Sequence, residues 1–163
     1  MEILVINGSP KGKHSVTLQT VNYLQILRPE HSFEVLHAGQ SIKQLEKDFS
    51  KAIEAVQKAD VLLMDEPTKG LDAYLKKTLA ELLKKLTEQG ISILMVTHDL
   101  EFAASYADRC ALIFDGQLIS EDEPHVFFSG NRFYTTTAGL IAGDKIRQVI
   151  TCEEVTGACR KRN

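Results

Sequence analysis

Short apolar runs alternate in this chain with longer segments whose apolar residues recur every three or four positions. The runs EILVIN at 2–7, VLLMD at 61–65 and ISILMVT at 91–97 are rich in branched residues, as in parallel strands that are buried on both faces. One longer segment carries the stripe of an amphipathic helix: Leu75, Leu79, Leu82, Leu83 and Leu86. Because parallel strands need crossover connections, this alternation predicts a doubly wound α/β sheet with helices on both faces, a three-layer sandwich.

Turn and capping residues predict where these elements begin and end. A helix that starts at Ser15 ends before Pro29, and Gly90 is placed to cap another. Asp115-Gly116 between two apolar runs predicts a hairpin. The other predicted elements are a strand at 32–38, a helix at 42–59, a helix at 100–107, a strand at 110–114, and helices near 135–143 and 153–160. We expect one domain over 1–163, with a five-stranded, mostly parallel sheet and an added antiparallel hairpin strand.

Charge and composition exclude several classes of protein. A net charge of −3 argues against general nucleic-acid or membrane-surface binding. No apolar run reaches the ~18–20 residues of a membrane span, and Met1 leads directly into a strand, so we expect no signal peptide. Three cysteines without CxxC spacing predict free thiols in a reducing compartment. These features predict a soluble, cytoplasmic protein with no nucleic-acid or membrane partner.

The loop between the first strand and the first helix could hold a phosphate. Gly8 and Gly12 let the backbone approach an anion, and the N-terminus of the following helix supplies N–H groups. The loop is not a P-loop, because only three residues separate the two glycines and His14 stands between Lys13 and Ser15. We therefore predict a phosphate or sulfate site here, with a solvated turn as the alternative.

The run ILVINGSPKGKHSVTLQ resembles the opening of flavodoxin-like NAD(P)H-dependent FMN oxidoreductases, and the likeness extends over about residues 1–60. The resemblance implies a flavodoxin-like fold and FMN as a possible cofactor. The positions that it implies for contact with the FMN phosphate are Ser9, Lys11, Ser15, Val16 and Thr17. The sequence departs from that family at the third strand, which leads into Asp65-Glu66-Pro67-Thr68 where the flavin ring would pack.

The segment VLLMDEPTKGLDAYLKK carries a second set of polar residues at strand ends. Asp65 ends a buried strand, where its carboxylate could hold Mg²⁺. Glu66 could polarise a water that attacks a phosphate. Asp72 follows Gly70-Leu71, and His98 ends the next apolar run. In this order the four residues match the Walker B, D-loop and H-loop positions of an ABC ATPase.

Residues 60–163 resemble the C-terminal part of ABC transporter ATPases, especially the energy-coupling-factor branch. Segments that carry the likeness include CALIFDGQLISEDEPHVFF and NRFYTTTAGLIAGD. The printed sequence contains no GxxxxGK[ST] run and no LSGGQ-like helix before Asp65. Because phosphoryl transfer depends on positioning and electrostatic stabilisation, we expect Asp65, Glu66, Asp72 and His98 to be vestigial, with no active catalytic residue and no metal bound at Asp65.

The two resemblances meet near Asp60, which suggests a recombinant chimera of two fragments, 1–60 and 61–163. On this interpretation the protein is an engineered scaffold without enzyme activity. Two alternatives stay open: a module that binds FMN or phosphate, and a weak Mg-ATP-binding ATPase. The order of the strands across Asp60 is open as well. Exposed aromatic residues are expected to cause self-association: Phe127, Phe128, Phe133 and Tyr134. We expect His31, His37 and His125 to bind no metal.

Overall fold

A computed structural model describes residues 1–8, 11, 15–38, 43, 45, 47–130, 134–143, 146 and 148–160. It divides the chain into two compact units, Met1–Thr97 and His98–Asn163. Each unit has its own sheet and its own core. The expectation of one domain over 1–163 stays a prediction.

The first unit is built on a four-stranded parallel sheet. Its strands are β1 (Glu2–Ile6), β2 (Ser32–Leu36), β3 (Val61–Asp65) and β4 (Ser92–Val96). Their spatial order is β2-β1-β3-β4. Strand β1 is central, since Val5 pairs with Val35 on one side and with Leu63 on the other. The open question of strand order is thereby answered: β1 lies directly beside β3.

The first two helices follow β1 and β2. Helix α1 spans Val16–Leu27 and begins at Ser15, whose hydroxyl accepts a hydrogen bond from the backbone of Leu18, as predicted. Helix α2 spans Ser50–Lys58. The earlier part of the helix predicted at 42–59 lies mostly outside the described residues.

The third helix, α3 (Ala73–Glu88), connects β3 to β4. It ends where Gly90 adopts a φ of +93°, which glycine tolerates without strain. The backbone N–H of Ile91 then donates to the carbonyl of Leu86 at 3.1 Å, closing the helix end as the sequence predicted. The chain continues from this turn directly into β4.

The core of the first unit lies between one face of the sheet and helices α2 and α3. The buried side chains come from the central strands and from the small residues of α2, which allow close packing: Leu4, Leu62, Met64, Ala55, Ala59 and Ile91. Burial on this face fixes which residues of each strand point inward. Because β1, β3 and β4 pair in parallel, their carboxyl ends lie at the same edge of the sheet.

The second unit contains an antiparallel hairpin and four short helices. Its elements are α4 (Leu100–Tyr106), β5 (Cys110–Phe114), β6 (Gln117–Asp122), α5 (Pro124–Gly130), α6 (Thr137–Ala142) and α7 (Cys152–Arg160). Asp115 and Gly116 both have positive φ, 49° and 72°, as a tight hairpin turn requires. The predicted hairpin is confirmed.

The prediction of a five-stranded sheet is wrong for the described residues. Strand β5 pairs with β6 in a separate two-stranded sheet, and four strands form the parallel one. The two-residue turn makes the β5–β6 pairing local, so little chain entropy is lost in forming it. The prediction that the run at 91–97 is buried on both faces is also wrong, because Leu94 and Val96 of β4 are more than half exposed.

The predicted aromatic patch is also wrong where it is described. Phe127 and Phe128 are buried and pack edge to face, with ring centroids 5.0 Å apart. They lie on α5, a helix that the sequence analysis did not predict, and they join Ala104, Cys110 and Ile150 in the core of the second unit. Tyr134 is exposed, and Phe133 lies outside the described residues. Self-association stays a prediction.

None of the helices that the structure describes is both long enough and apolar enough to cross a membrane.

Candidate functional site

Asp65 ends β3 at the carboxyl edge of the parallel sheet and meets a side chain from the first helix. The Thr17 hydroxyl donates to Oδ2 of Asp65 at 3.1 Å. The two residues are 48 positions apart in sequence. They meet because β1 and β3 are neighbours, so α1 starts beside the end of β3. The structure therefore joins the two candidate sites that the sequence treated separately.

The loop between β1 and α1 is anchored by buried polar groups. Ser15 is 1% exposed, and its hydroxyl donates to Oδ1 of Asn7 at 3.4 Å. Asn7 is equally buried, and its backbone N–H donates to the carbonyl of Leu36. Ser15 thus holds the loop and caps α1. Of the other predicted phosphate contacts, Lys11 and Val16 are exposed, and Ser9 lies outside the described residues.

Glu66 follows Asp65 in a backbone conformation that is uncommon for a residue with a side chain. Its φ is +49°, a region in which such residues carry strain of order 1–3 kcal/mol. The backbone N–H of Glu66 donates to the carbonyl of Val96 at 2.8 Å. Its Oε2 accepts from the Thr97 hydroxyl at 3.5 Å, and the Thr68 hydroxyl lies 3.4 Å from that of Thr97. The loops after β3 and β4 are therefore connected through Glu66.

Asp72 has a structural role in the described geometry. Its Oδ1 accepts a hydrogen bond of 2.8 Å from the backbone of Leu75, so it caps α3. The turn that leads to it contains Gly70, with a φ of +80°. Asp72 is thus positioned by the same loop that follows Asp65.

His98 is the first residue of the second unit. Its carbonyl accepts from the backbone of Leu100 at 3.1 Å, and the next residue, Asp99, caps α4 through Phe102. The structure thus brings Asp65 and Glu66 together with Thr17 in the first unit, and His98 belongs to the other. That His98 completes the set stays a prediction.

A carboxylate and a hydroxyl at one sheet edge are oxygen ligands of the kind that Mg²⁺ prefers. Proteins bind Mg²⁺ through one or two carboxylates together with substrate phosphates more often than in a cage of side chains. Among the residues that the structure describes, no three His, Cys, Asp or Glu side chains converge on one point. Thr17 and Asp65 therefore fit a magnesium ion that arrives with a phosphate ligand.

Comparisons with known proteins bear on this edge. A family model described as "AAA domain, putative AbiEii toxin, Type IV TA system" matches residues 49–104, which include β3, β4 and the loops that follow them. A segment of the chain is 47% identical over 105 residues to a "Putative ABC transporter ATP-binding protein" of Bacillus anthracis, covering 64% of this chain and 19% of that protein. This segment resembles ABC transporter ATP-binding proteins.

Other relatives extend the comparison beyond one genus. A "Putative ABC transporter ATP-binding protein" of Methanothermobacter thermautotrophicus is 42% identical over 72 residues, which are 44% of this chain and 26% of that protein. A "Glutamate/glutamine/aspartate/asparagine transport ATP-binding protein" of Rhodobacter capsulatus is 37% identical over 71 residues, again 44% of this chain and 27% of the relative. The chain spans about a fifth to a quarter of the length of these relatives.

These findings overturn the interpretation of the chain as an engineered scaffold without enzyme activity. The relatives are natural proteins named as ABC transporter ATP-binding proteins, and the family match begins at residue 49. It therefore runs across the supposed junction at Asp60. The expectation of FMN is not supported either, because the relatives are named as ATP-binding proteins. The comparisons lend no support to a flavin-reductase fragment at 1–60.

Sequence reasoning missed the partners of the two acids. Thr17 was identified as a phosphate contact and not as a partner of Asp65. Thr68 and Thr97 were read only as neighbours of the motif residues. A signal for both was present, since each follows an apolar strand that ends at the same edge of the sheet, and polar side chains at such edges gather into ligand sites.

Proposed function

We propose that this chain binds a magnesium–nucleotide complex at the carboxyl edge of its four-stranded sheet and hydrolyses ATP. The observation that carries the proposal is the hydrogen bond between Thr17 and Asp65. In nucleotide hydrolases of the P-loop type, a Ser or Thr at the start of a helix and an Asp at the end of a strand hold Mg²⁺ together. Resemblance to ABC transporter ATP-binding proteins supports the same reading.

The residues at this edge of the sheet would have different roles in binding and hydrolysing the nucleotide. Thr17 and Asp65 would hold Mg²⁺, which would supply positive charge against the phosphates when bound. The backbone N–H groups of Val16 and Thr17 lie in the first turn of α1, where they have no acceptor among the described residues and could receive a phosphate oxygen. Lys11 offers a positive charge in the preceding loop. Glu66 would orient and deprotonate the attacking water.

The strand order supports the placement of this site. In doubly wound sheets the ligand binds outside the carboxyl ends of the strands where the order reverses. The order β2-β1-β3-β4 reverses between β1 and β3, and Thr17 and Asp65 follow these two strands. The same order is the first part of the flavodoxin-like arrangement, so we propose that fold for the parallel sheet.

Binding can be tested by isothermal titration with Mg-ATP. Wild-type protein should release or absorb heat at micromolar to millimolar ATP, and Asp65→Asn should weaken binding at least about tenfold, since it removes a charged ligand. Asp60→Asn is the matched control, because Asp60 lies at the opposite end of β3 and bonds to the backbone of Glu2. No heat from wild-type protein at millimolar Mg-ATP would refute the proposal.

A further inference from the structure

We propose that Thr97 and Thr68 are positioning residues for Glu66. The Thr68 hydroxyl donates to that of Thr97, and the Thr97 hydroxyl donates to the Glu66 carboxylate, so that this directed chain holds the carboxylate in an orientation suited to reaction. This inference rests on the proposed ATPase function and adds a part that the motif residues do not contain. It concerns the orientation of the Glu66 side chain, because hydrogen bonds already fix the backbone of this residue.

The backbone of Glu66 is fixed by two hydrogen bonds. Its N–H donates to Val96 at 2.8 Å, and its carbonyl accepts from the N–H of Lys69 at 3.1 Å. The side chain has three further rotatable bonds, and each freely populated rotamer lowers the fraction of time spent in a reactive orientation. A hydrogen bond at the carboxylate is therefore a contact that favours one orientation.

Thr97 is well suited to supply that contact. It comes directly after β4, and its hydroxyl lies 3.5 Å from Oε2 of Glu66. As a β-branched residue it has few rotamers, so the position of its hydroxyl oxygen is largely set by the backbone. The distance is long for a hydrogen bond, as is common for catalytic contacts before substrate binds and tightens them.

The chemistry of the three groups fixes the direction of the chain. The Thr97 hydroxyl is the donor in its contact with the carboxylate of Glu66, because a carboxylate accepts hydrogen bonds. A hydroxyl has one proton, and Thr97 must therefore accept in its contact with Thr68 at 3.4 Å. Thr68 is 3% exposed, and a buried hydroxyl loses stability if its proton has no acceptor. Thr68 consequently favours the state in which Thr97 points its proton at Glu66.

Three variants test the chain by steady-state ATP hydrolysis together with nucleotide titration. Thr97→Val keeps the shape and removes the donor; kcat should fall roughly tenfold with unchanged affinity for Mg-ATP. Thr97→Ser restores the hydroxyl and should recover most of the rate. Thr68→Val leaves the Thr97 contact in place and should reduce kcat by a smaller factor, about two- to fivefold.

Thr78→Val is the matched control for the same chemical change. The Thr78 hydroxyl bonds to the carbonyl of Tyr74 on the exposed surface of α3, away from the sheet edge, and this variant should hydrolyse ATP at the wild-type rate. A wild-type rate in Thr97→Val, or a loss that appears in affinity and not in kcat, would overturn the inference while leaving the ATPase proposal intact. Absence of hydrolysis by wild-type protein would refute the ATPase proposal itself.

Discussion

The two units use their polar side chains in different ways. In the first, Thr17 meets Asp65 across 48 positions of sequence and Thr97 meets Glu66 across 31. In the second, polar side chains bond mainly to helix ends, both nearby, as Thr136 does with Gly139, and distant, as Glu101 accepts from the backbone of Thr137 across 36 positions. A parallel sheet places side chains from distant segments beside one another at one edge, whereas the side chains of the second unit mostly satisfy the backbone at helix ends. The proposed nucleotide site accordingly lies on the first unit.

The largest expected effect concerns the chemistry of the first unit. Glu66→Gln removes the carboxylate that would deprotonate the attacking water and should lower the rate of ATP hydrolysis by about 100-fold or more. Nucleotide affinity should change little, because the amide keeps the size of the side chain. Phosphate release under saturating Mg-ATP measures the rate. An unchanged rate would mean that the activity comes from a contaminant or from another residue.

A comparable loss of stability is expected in the second unit. Phe128 is 2% exposed within its core, and Phe128→Ala should destabilise that unit by about 3–5 kcal/mol. Hydrogen exchange at the amides of β5, β6 and α5 reports the loss. Val126→Ala on the same helix is the control, because Val126 is more than half exposed and should cost about 0.5 kcal/mol or less. Equal effects of the two variants would contradict the core assigned to this unit.

A smaller effect distinguishes a structural role of Asp72, as a helix cap, from a role in the reaction. As the cap of α3 it should contribute about 1 kcal/mol to stability. Asp72→Ala should lose that amount in a denaturant titration, and Asp72→Ser should keep most of it, since a serine hydroxyl can also accept from Leu75. Normal stability combined with lost ATP hydrolysis in Asp72→Ser would instead assign the charge of Asp72 to the reaction.

The smallest effect is a pH dependence within the second unit. Burial acts to raise the pKa of Glu154, but backbone N–H groups of Ile150 and Thr151 and the nearby His125 outweigh it and hold the pKa below its usual value. A carboxyl with a lowered pKa in the folded state stabilises that state above the pKa of the unfolded chain, and the stability is lost as pH falls through the folded pKa. Glu154→Gln should therefore remove the part of the stability loss that occurs as pH falls below the ordinary pKa of a glutamate. An unchanged pH profile would show that Glu154 contributes no such linkage.

Several parts of the fold could be predicted from sequence because their signals are local. Ser15 capped its helix, Gly90 ended another, and Asp115-Gly116 turned a hairpin, as expected. The pairing of parallel strands is not local, and β5, which was expected in the parallel sheet, pairs only with β6 among the described residues. Helix α5 was missed since its sequence is short and carries little periodicity, although Pro124 stands at its first position, where proline is favoured.

The candidate site could be predicted only in part, because its motifs are local signals and the contacts between them are not. Asp65, Glu66, Asp72 and His98 form a recognisable order along the chain, and Thr17 directly follows a recognisable loop, at the start of α1. The contact between Thr17 and Asp65 depends on β1 lying beside β3, which residue patterns alone left open. The expectation that the acids are vestigial followed from the absence of a GxxxxGK[ST] run in the sequence, and it stays a prediction. The contact between Thr17 and Asp65 is what supports the opposite proposal.

The most direct test of a nucleotide site at this edge uses Mn²⁺-ATP as a paramagnetic probe in place of Mg²⁺-ATP. Nuclear magnetic resonance spectra of the wild-type protein should lose the amide signals of Val16, Thr17, Asp65 and Glu66 when Mn²⁺-ATP is added, and Mg²⁺-ATP should shift these signals without broadening them. Thr17→Val should weaken the loss, because it removes one of the two proposed metal ligands. Full intensity of these four signals at millimolar Mn²⁺-ATP would contradict the proposed site.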